Sequence, residues 1–124
     1  MIHLDTNFLI GALQRGSAPD RQIRQWLAAG EAVQMCAMAW AEFRCGPLPF
    51  GLESAIRELV TDIVPVGAVH ADHAAALFNA TGRRRSSLPD CIIAACAIES
   101  GAALATGNIE DFRRLVPLGL RLAG

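Results

Sequence analysis

Four acidic residues stand at the ends of otherwise apolar segments: Asp5 in MIHLDTNFLI, Glu42 in AWAEFRCG, Asp90 in SSLPDCIIAACAI and Asp111 in ATGNIEDF. A buried carboxylate needs a cation, a hydrogen-bond donor or a proton. Several in one cleft repel one another and hold their pKa values up unless a cation neutralises them. An oxygen-only donor set, with no His or Cys beside it, suits Mg²⁺ or Mn²⁺. Such an ion can bind a phosphodiester oxygen, activate water and stabilise the charge that builds at phosphorus. Each acid also has a simpler reading. Asp5 or Thr6 can cap the helix that follows, and Glu42 can pair with Arg44 or another Arg. Asp90 can favour its helix N-terminus through the dipole, and Asp111 can belong to a cap begun by Asn108. One such acid is unremarkable; four of them on one predicted edge favour the metal.

Whether they share an edge depends on the elements that carry them. Ile2–Leu4 reads as a strand, Asn7–Leu13 as a helix, and Ser17-Ala18-Pro19-Asp20 as the start of a second helix that runs to Gly30. Ala32–Cys36 is a strand and Met38–Cys45 a helix that ends at Gly46-Pro47, with a turn at Pro49 and Gly51. Leu52–Val60 is helical, Ile63–Val66 a strand, and Val69–Thr81 a helix stopped by Gly82. Leu88–Ser100 is a nearly all-apolar helix and so should be buried on most sides, with Ser86 or Ser87 to cap it and Pro89 tolerated early. Ala103–Thr106 is a strand, Ile109–Leu115 a helix and Leu118–Leu122 a last strand. The alternation predicts an α/β fold: one domain over residues 1–124, with a mostly parallel central sheet of four to five strands flanked by helices. Asp5, Glu42 and Asp111 then follow strands on one edge, and Asp90 can join them from the start of its helix.

Composition narrows the function classes. The chain has 124 residues, is 52% hydrophobic and carries a formal net charge of −1, so it offers no broad basic surface. The longest apolar run, Cys91 to Ile98, is far short of a membrane-spanning helix, and the N-terminus lacks the pattern of a signal peptide. Cys36, Cys45, Cys91 and Cys96 show no metal-ligand spacing and read as reduced core thiols, which predicts a cytoplasmic location. His3 reads as a hydrogen-bonded core residue, and His70 with His73 lacks the further ligands that zinc needs. Arg83-Arg84-Arg85 leads directly into Asp90. It is either a solvated loop or a rim that contacts nucleic-acid phosphates, which would position a strand without reading its sequence. Trp26, Trp40 and the Phe residues fall at core-like spacing and offer no stacking platform for bases.

The order and spacing of LDTNFLI, AEFRCG, PDCIIAACAI and ATGNIEDFRRL resemble a PIN domain, and specifically a toxin of the VapC kind, over nearly the whole chain. The resemblance implies a Mg²⁺- or Mn²⁺-dependent endoribonuclease, usually a homodimer, held inactive by a cognate antitoxin. It matches Asp5, Glu42 and Asp90 to the family's acidic triad. Thr6 matches a hydroxyl residue that orients ligands or water, and Thr106 opens the final motif. Where that motif often has an acid this chain has Asn108, so either Asn108 or Asp111 completes the site. An antitoxin segment would fill an apolar groove near Trp26, Leu27, Phe50 and Leu52. The rival readings are a PIN-like RNA-processing nuclease without an antitoxin and a degenerate binding module. A phospho-acceptor reading of Asp5 is disfavoured by Asn7, where such phosphatases carry a second Asp.

Overall fold

Among the described residues four short strands hydrogen-bond side by side in parallel, and their ends define where a ligand can enter. The computed structural model describes residues 1–46 and 52–124. The strands are β1 (Ile2–Leu4), β2 (Val33–Cys36), β3 (Asp62–Val64) and β4 (Ala103–Ala105), in the order β3-β2-β1-β4 and all parallel. Among the described residues the helices are α1 (Thr6–Ala12), α2 (Ala18–Ala28), α3 (Ala37–Arg44), α4 (Leu52–Leu59), α5 (Ala68–Ala80), α6 (Leu88–Glu99) and α7 (Ile109–Arg113). The expected α/β class and parallel sheet are observed, with four strands. The expected turn at Pro49 and Gly51 lies outside the described residues.

The order of the strands matters for the site. From β1 the chain builds outward through β2 to β3, then returns to place β4 on the other side of β1. Crossover helices from neighbouring strands therefore diverge at the β1–β4 boundary and leave a crevice beyond the carboxyl ends of those strands. Leu4 pairs in register with Ala105, so Asp5 and Thr106 both emerge into that crevice.

The strands are buried because helices cover both faces of the sheet. Leu4, Val33, Met35 and Leu104 are fully buried, and burying each such side chain stabilises the fold by about 1.5–3 kcal/mol. Helix α6 is apolar nearly all round, and Cys91 and Ile93–Ala97 are buried. Its small residues Ala94, Ala95 and Ala97 let the backbone approach its neighbours closely. A larger side chain there overpacks the core at a cost of about 1–3 kcal/mol. The helix ends in a Schellman motif: Ala102 N–H donates to Ala97 C=O at 2.9 Å and Gly101 N–H to Ile98 C=O at 3.0 Å, with Gly101 at φ 68°. This sharp stop aims β4 back along β1. The Phe8 and Trp26 rings, 5.7 Å apart, tie α1 to α2.

Four expectations are corrected. Leu118–Leu122 is not a strand: Val116–Leu118 forms a 3₁₀ turn, and only Leu122 bridges to Leu104. Pro117 lacks a donor for a ladder and Gly119, at φ 116°, turns the chain, so pairing starts too late to extend. His3 is fully buried, but neither ring nitrogen has a hydrogen-bond partner among the described residues. Its pKa is lowered to about 4, by desolvation first and then by the charge of His70, against Asp62. Cys45 is exposed, unlike the buried Cys36, Cys91 and Cys96. Finally, neither serine caps α6 by its side chain; the Ser87 hydroxyl donates to Arg84 C=O at 2.7 Å, closing a 3₁₀ turn over Arg85–Ser87.

Candidate active site

Asp5 occupies the N-cap of α1 and is only 3% exposed. Its backbone N–H continues the ladder to Ala105 C=O at 3.0 Å, so the strand delivers the side chain to the crevice in a set position. Phe8 N–H donates to Oδ1 at 2.7 Å, and the Thr106 hydroxyl donates to Oδ2. Thr106 in turn accepts from Asn108 N–H at 2.9 Å. The capping role and a place in an acidic site are thus compatible, because each carboxylate oxygen keeps a further lone pair.

Glu42 comes from α3, which starts immediately after β2. Thr6 Oγ1 lies 3.1 Å from Glu42 Oε1 and 3.1 Å from Ala39 C=O, so its single proton serves one acceptor at a time. The alternative partner for Glu42 is engaged elsewhere: Arg44 pairs with Glu53 of α4. Asp90 lies in the first turn of α6 behind Pro89, half-buried. Asp5, Thr6, Glu42, Asp90 and Asn108 line one cleft of about 110 Å³, with Asn7 at its rim. Ile93, one helical turn after Asp90, supplies an apolar wall.

Asn108 and Asp111 separate here. Asn108 holds the N-cap position of α7, but its side chain makes no capping bond and lines the cleft instead. Asp111 donates its N–H to Asn108 C=O at 3.0 Å, and its side chain lines an adjoining cavity that shares Asp90. Of the arginine run, only Arg84 lines that second cavity. Arg83 takes a left-handed conformation (φ 55°) and Arg85 opens the 3₁₀ turn; all three are exposed.

The acids feel one another. Asp90 is pushed up to about 6, first by desolvation and then by the charges of Asp111, Glu42 and Asp5, with Arg114 opposing. Burial raises Asp5 as well, and the charges of Glu42 and Asp111 add to it; the donors Thr106 and Phe8 N–H pull the other way. A bound cation would relieve this mutual repulsion. Among the described residues no three His, Cys, Asp or Glu side chains already form a cage for a metal ion. The donor set fits a hard cation by its chemistry: carboxylates, an amide and hydroxyls in a small polar cleft, with no soft ligand.

Asn7, Ile93 and Arg114 belong to these cavities and carry no mark in the sequence that would select them. Their neighbours in space come from distant segments, and only the order of the strands joins them.

Solved structures resemble this fold over 90% or more of its length. VapBC2 from Rickettsia felis, bound to a promoter DNA fragment, is 22% identical, covers 99% of this chain and 98% of its own, and has a TM-score of 0.78. FitAcB from Neisseria gonorrhoeae is 25% identical, with 100% and 97% covered and a TM-score of 0.75. A toxin–antitoxin complex from Klebsiella pneumoniae is 26% identical, with 90% of each chain covered and a TM-score of 0.69. Comparison with curated protein sequences gives no match. The family model of the PIN domain matches residues 2–116, and the chain belongs to that family.

Proposed function

We propose that the protein is a Mg²⁺- or Mn²⁺-dependent endoribonuclease that acts as the toxin of a toxin–antitoxin pair. The observation that carries this reading is the convergence of Asp5, Glu42 and Asp90 on one cleft at the β1–β4 switch point. In this reading the three carboxylates hold the ion, and Asn108 adds a neutral carbonyl oxygen. Asp111 acts from the adjoining cavity through its charge. When bound, the ion supplies Lewis-acid stabilisation of the charge that develops at phosphorus and at the leaving oxygen. The chain's own residues set the geometry. Thr106 and Phe8 N–H fix the Asp5 carboxylate, Thr6 orients Glu42, and Ile93 limits water beside Asp90. Arg84 offers positive charge to an RNA backbone at the rim.

The antitoxin reading rests on the similarity to VapBC2 and to the Klebsiella pneumoniae toxin–antitoxin complex, together with an apolar groove. Leu9, Ala12 and Leu13 of α1, Ile23 and Leu27 of α2, and Leu59 of α4 line a groove of about 240 Å³. Asp20 and Arg24 stand at its edge, paired at 2.9 Å. Of the expected wall residues Leu27 lines it; Trp26 instead packs on Phe8, Leu52 packs against the core rather than lining the groove, and Phe50 lies outside the described residues. An amphipathic segment of the antitoxin fits such a groove with its apolar face. Two copies of the toxin pair as a homodimer in the cytoplasm. Among the described residues no helix is long and apolar enough to cross a membrane.

The test is direct. The purified protein should cleave single-stranded RNA internally, stop in EDTA, and recover with Mg²⁺ or Mn²⁺. Its expression alone should arrest growth, and a small reading frame immediately upstream should relieve the arrest. Cleavage with harmless expression would favour an RNA-processing nuclease, and RNA binding without cleavage a degenerate module.

A further inference from the structure

Beside the acidic cleft lies a second polar cavity of about 370 Å³, lined by Arg84, Ser86, Ser87, Asp90, Asp111 and Arg114. Asp90 is common to both spaces, so a ligand that spans them crosses a single side chain. Two guanidinium groups face two carboxylates here. Yet among the described residues neither Arg84 nor Arg114 forms an ion pair, whereas the neighbouring Arg113 pairs with Glu110 at 3.0 Å. The Nε of Arg114 is buried and has no hydrogen-bond partner among the described residues. A buried charged donor left unsatisfied is costly and calls for an acceptor. Ser87 is not that acceptor's other partner, because its hydroxyl is spent on Arg84 C=O.

The charge balance tells what the acceptor is. Without a cation, Asp90 and Asp111 offset the two arginines. Once an ion neutralises Asp90, the cavity keeps a net positive charge and a planar, bidentate donor, a combination suited to a phosphate. We propose that this cavity is a phosphate subsite, in which Arg84 and Arg114 hold the backbone phosphate of single-stranded RNA adjacent to the phosphate at the Asp5–Glu42–Asp90 cleft. This rests on the ribonuclease reading and adds to it a positioning residue, Arg114, from the end of α7. The subsite reads no base, since phosphate contacts position a strand without specifying it.

Binding measured without cleavage separates the two readings. Fluorescence anisotropy of labelled U20 RNA in EDTA, over a range of salt and in an Asp90→Asn background that removes the charge a bound ion would neutralise, gives affinity and its log–log slope. Arg84→Ala and Arg114→Gln should each weaken binding several-fold and flatten the slope by about 0.7 per lost single-strand phosphate contact. Arg114→Lys should restore the slope but not the full affinity, because it keeps the charge and loses the bidentate fork. Arg84 is exposed, so Arg84→Ala decides the matter even if Arg114→Gln does not fold. A flatter slope in a protein that never cleaves RNA with Mg²⁺ or Mn²⁺ would uphold the subsite and remove the nuclease. An unchanged slope in Arg84→Ala, and in Arg114→Gln where it folds, with cleavage intact in the parent, would overturn the subsite alone. In that case the arginines only offset Asp90 and Asp111, and the variants would shift the pH profile of cleavage instead.

Discussion

Thr106 donates its hydroxyl to Asp5 across 101 positions of sequence, and the two residues are adjacent only because β4 returns to pair with β1. The bond holds the Asp5 pKa below where burial alone would put it. Thr106→Val keeps the shape but removes the donor, leaving Asp5 Oδ2 and Asn108 N–H without their shared partner. This variant should lose about 1–3 kcal/mol of stability. Its rising pH limb for cleavage should also move to higher pH, because Asp5 then ionises later. Thr106→Ser should restore both. Thermal melts and a pH–rate profile of the three proteins check the pair, and a Thr106→Val profile that overlays the parent would show the bond to be incidental.

Asp5→Ala and Asp90→Asn should abolish RNA cleavage and leave the fold intact. Removing one carboxylate relieves repulsion within the cluster, so in the metal-free protein the Asp90→Asn variant should melt at the parent's temperature or a few degrees above it. Adding Mg²⁺ should reverse the order, since only the parent gains stability by binding. Full cleavage by purified Asp5→Ala would end the metal-nuclease reading.

Between about pH 4 and 6.5 the stability of the metal-free protein should carry opposed contributions, from the raised Asp90 and Asp5 on one side and the lowered His3 on the other. Asp90 has a folded pKa of about 6, above its ordinary carboxylate value, so its contribution is fully present at low pH and is lost as pH rises through 6. His3 has a folded pKa of about 4, below the ordinary imidazole value, so its contribution is present at neutral pH and is lost as pH falls toward 4. Asp90→Asn should expose the acid loss due to His3. His3→Leu, which also removes two unpaired buried nitrogens, should expose a stability that rises as pH falls. Urea melts at pH 4.5 and 6.5 distinguish the three proteins; parallel shifts in all of them would rule out the opposition.

The residue that completes the site can be found by calorimetric titration with Mn²⁺. Asn108 lines the cleft and Asp111 does not, so Asn108→Asp should tighten metal binding or add a second event. Asp111→Asn should leave the first event in place and reduce cleavage more than stability. An Asp111→Asn protein that cleaves like the parent but melts lower would make Asp111 a plain helix-start residue.

For the partner groove, Leu13→Glu and Leu27→Glu place charge on side chains that are already 38% exposed, so stability should change by about 0.5 kcal/mol or less. Cleavage should be unaffected in the isolated protein. Relief of growth arrest by the upstream reading frame should fail. Intact relief with both variants would move the antitoxin to another face.

The sequence by itself determined the class of the fold and singled out acids that line one cleft. Apolar periodicity marked each strand and helix to within a few residues. Asp5, Glu42 and Asp90 stood out because a carboxylate at the edge of an apolar segment has few reasons to be there. Local chemistry also sufficed for the Ser17 cap of α2, whose side chain accepts from Asp20 N–H at 3.2 Å. What the sequence could not decide was anything that depends on which segments meet. Leu118–Leu122 has the composition of a strand, yet Gly119 turns the chain and only Leu122 reaches β4. His3 sits in a strand like any core residue, and only the packing around β1 leaves its nitrogens without a partner among the described residues. Asn108 and Asp111 are three residues apart on one turn, and the direction of α7 sends one to the cleft and the other to the next cavity. Arg114 looks like the second of two equivalent arginines. The turn of helix between them leaves Arg113 on Glu110 and Arg114 beside Asp90, because successive helical residues point about 100° apart.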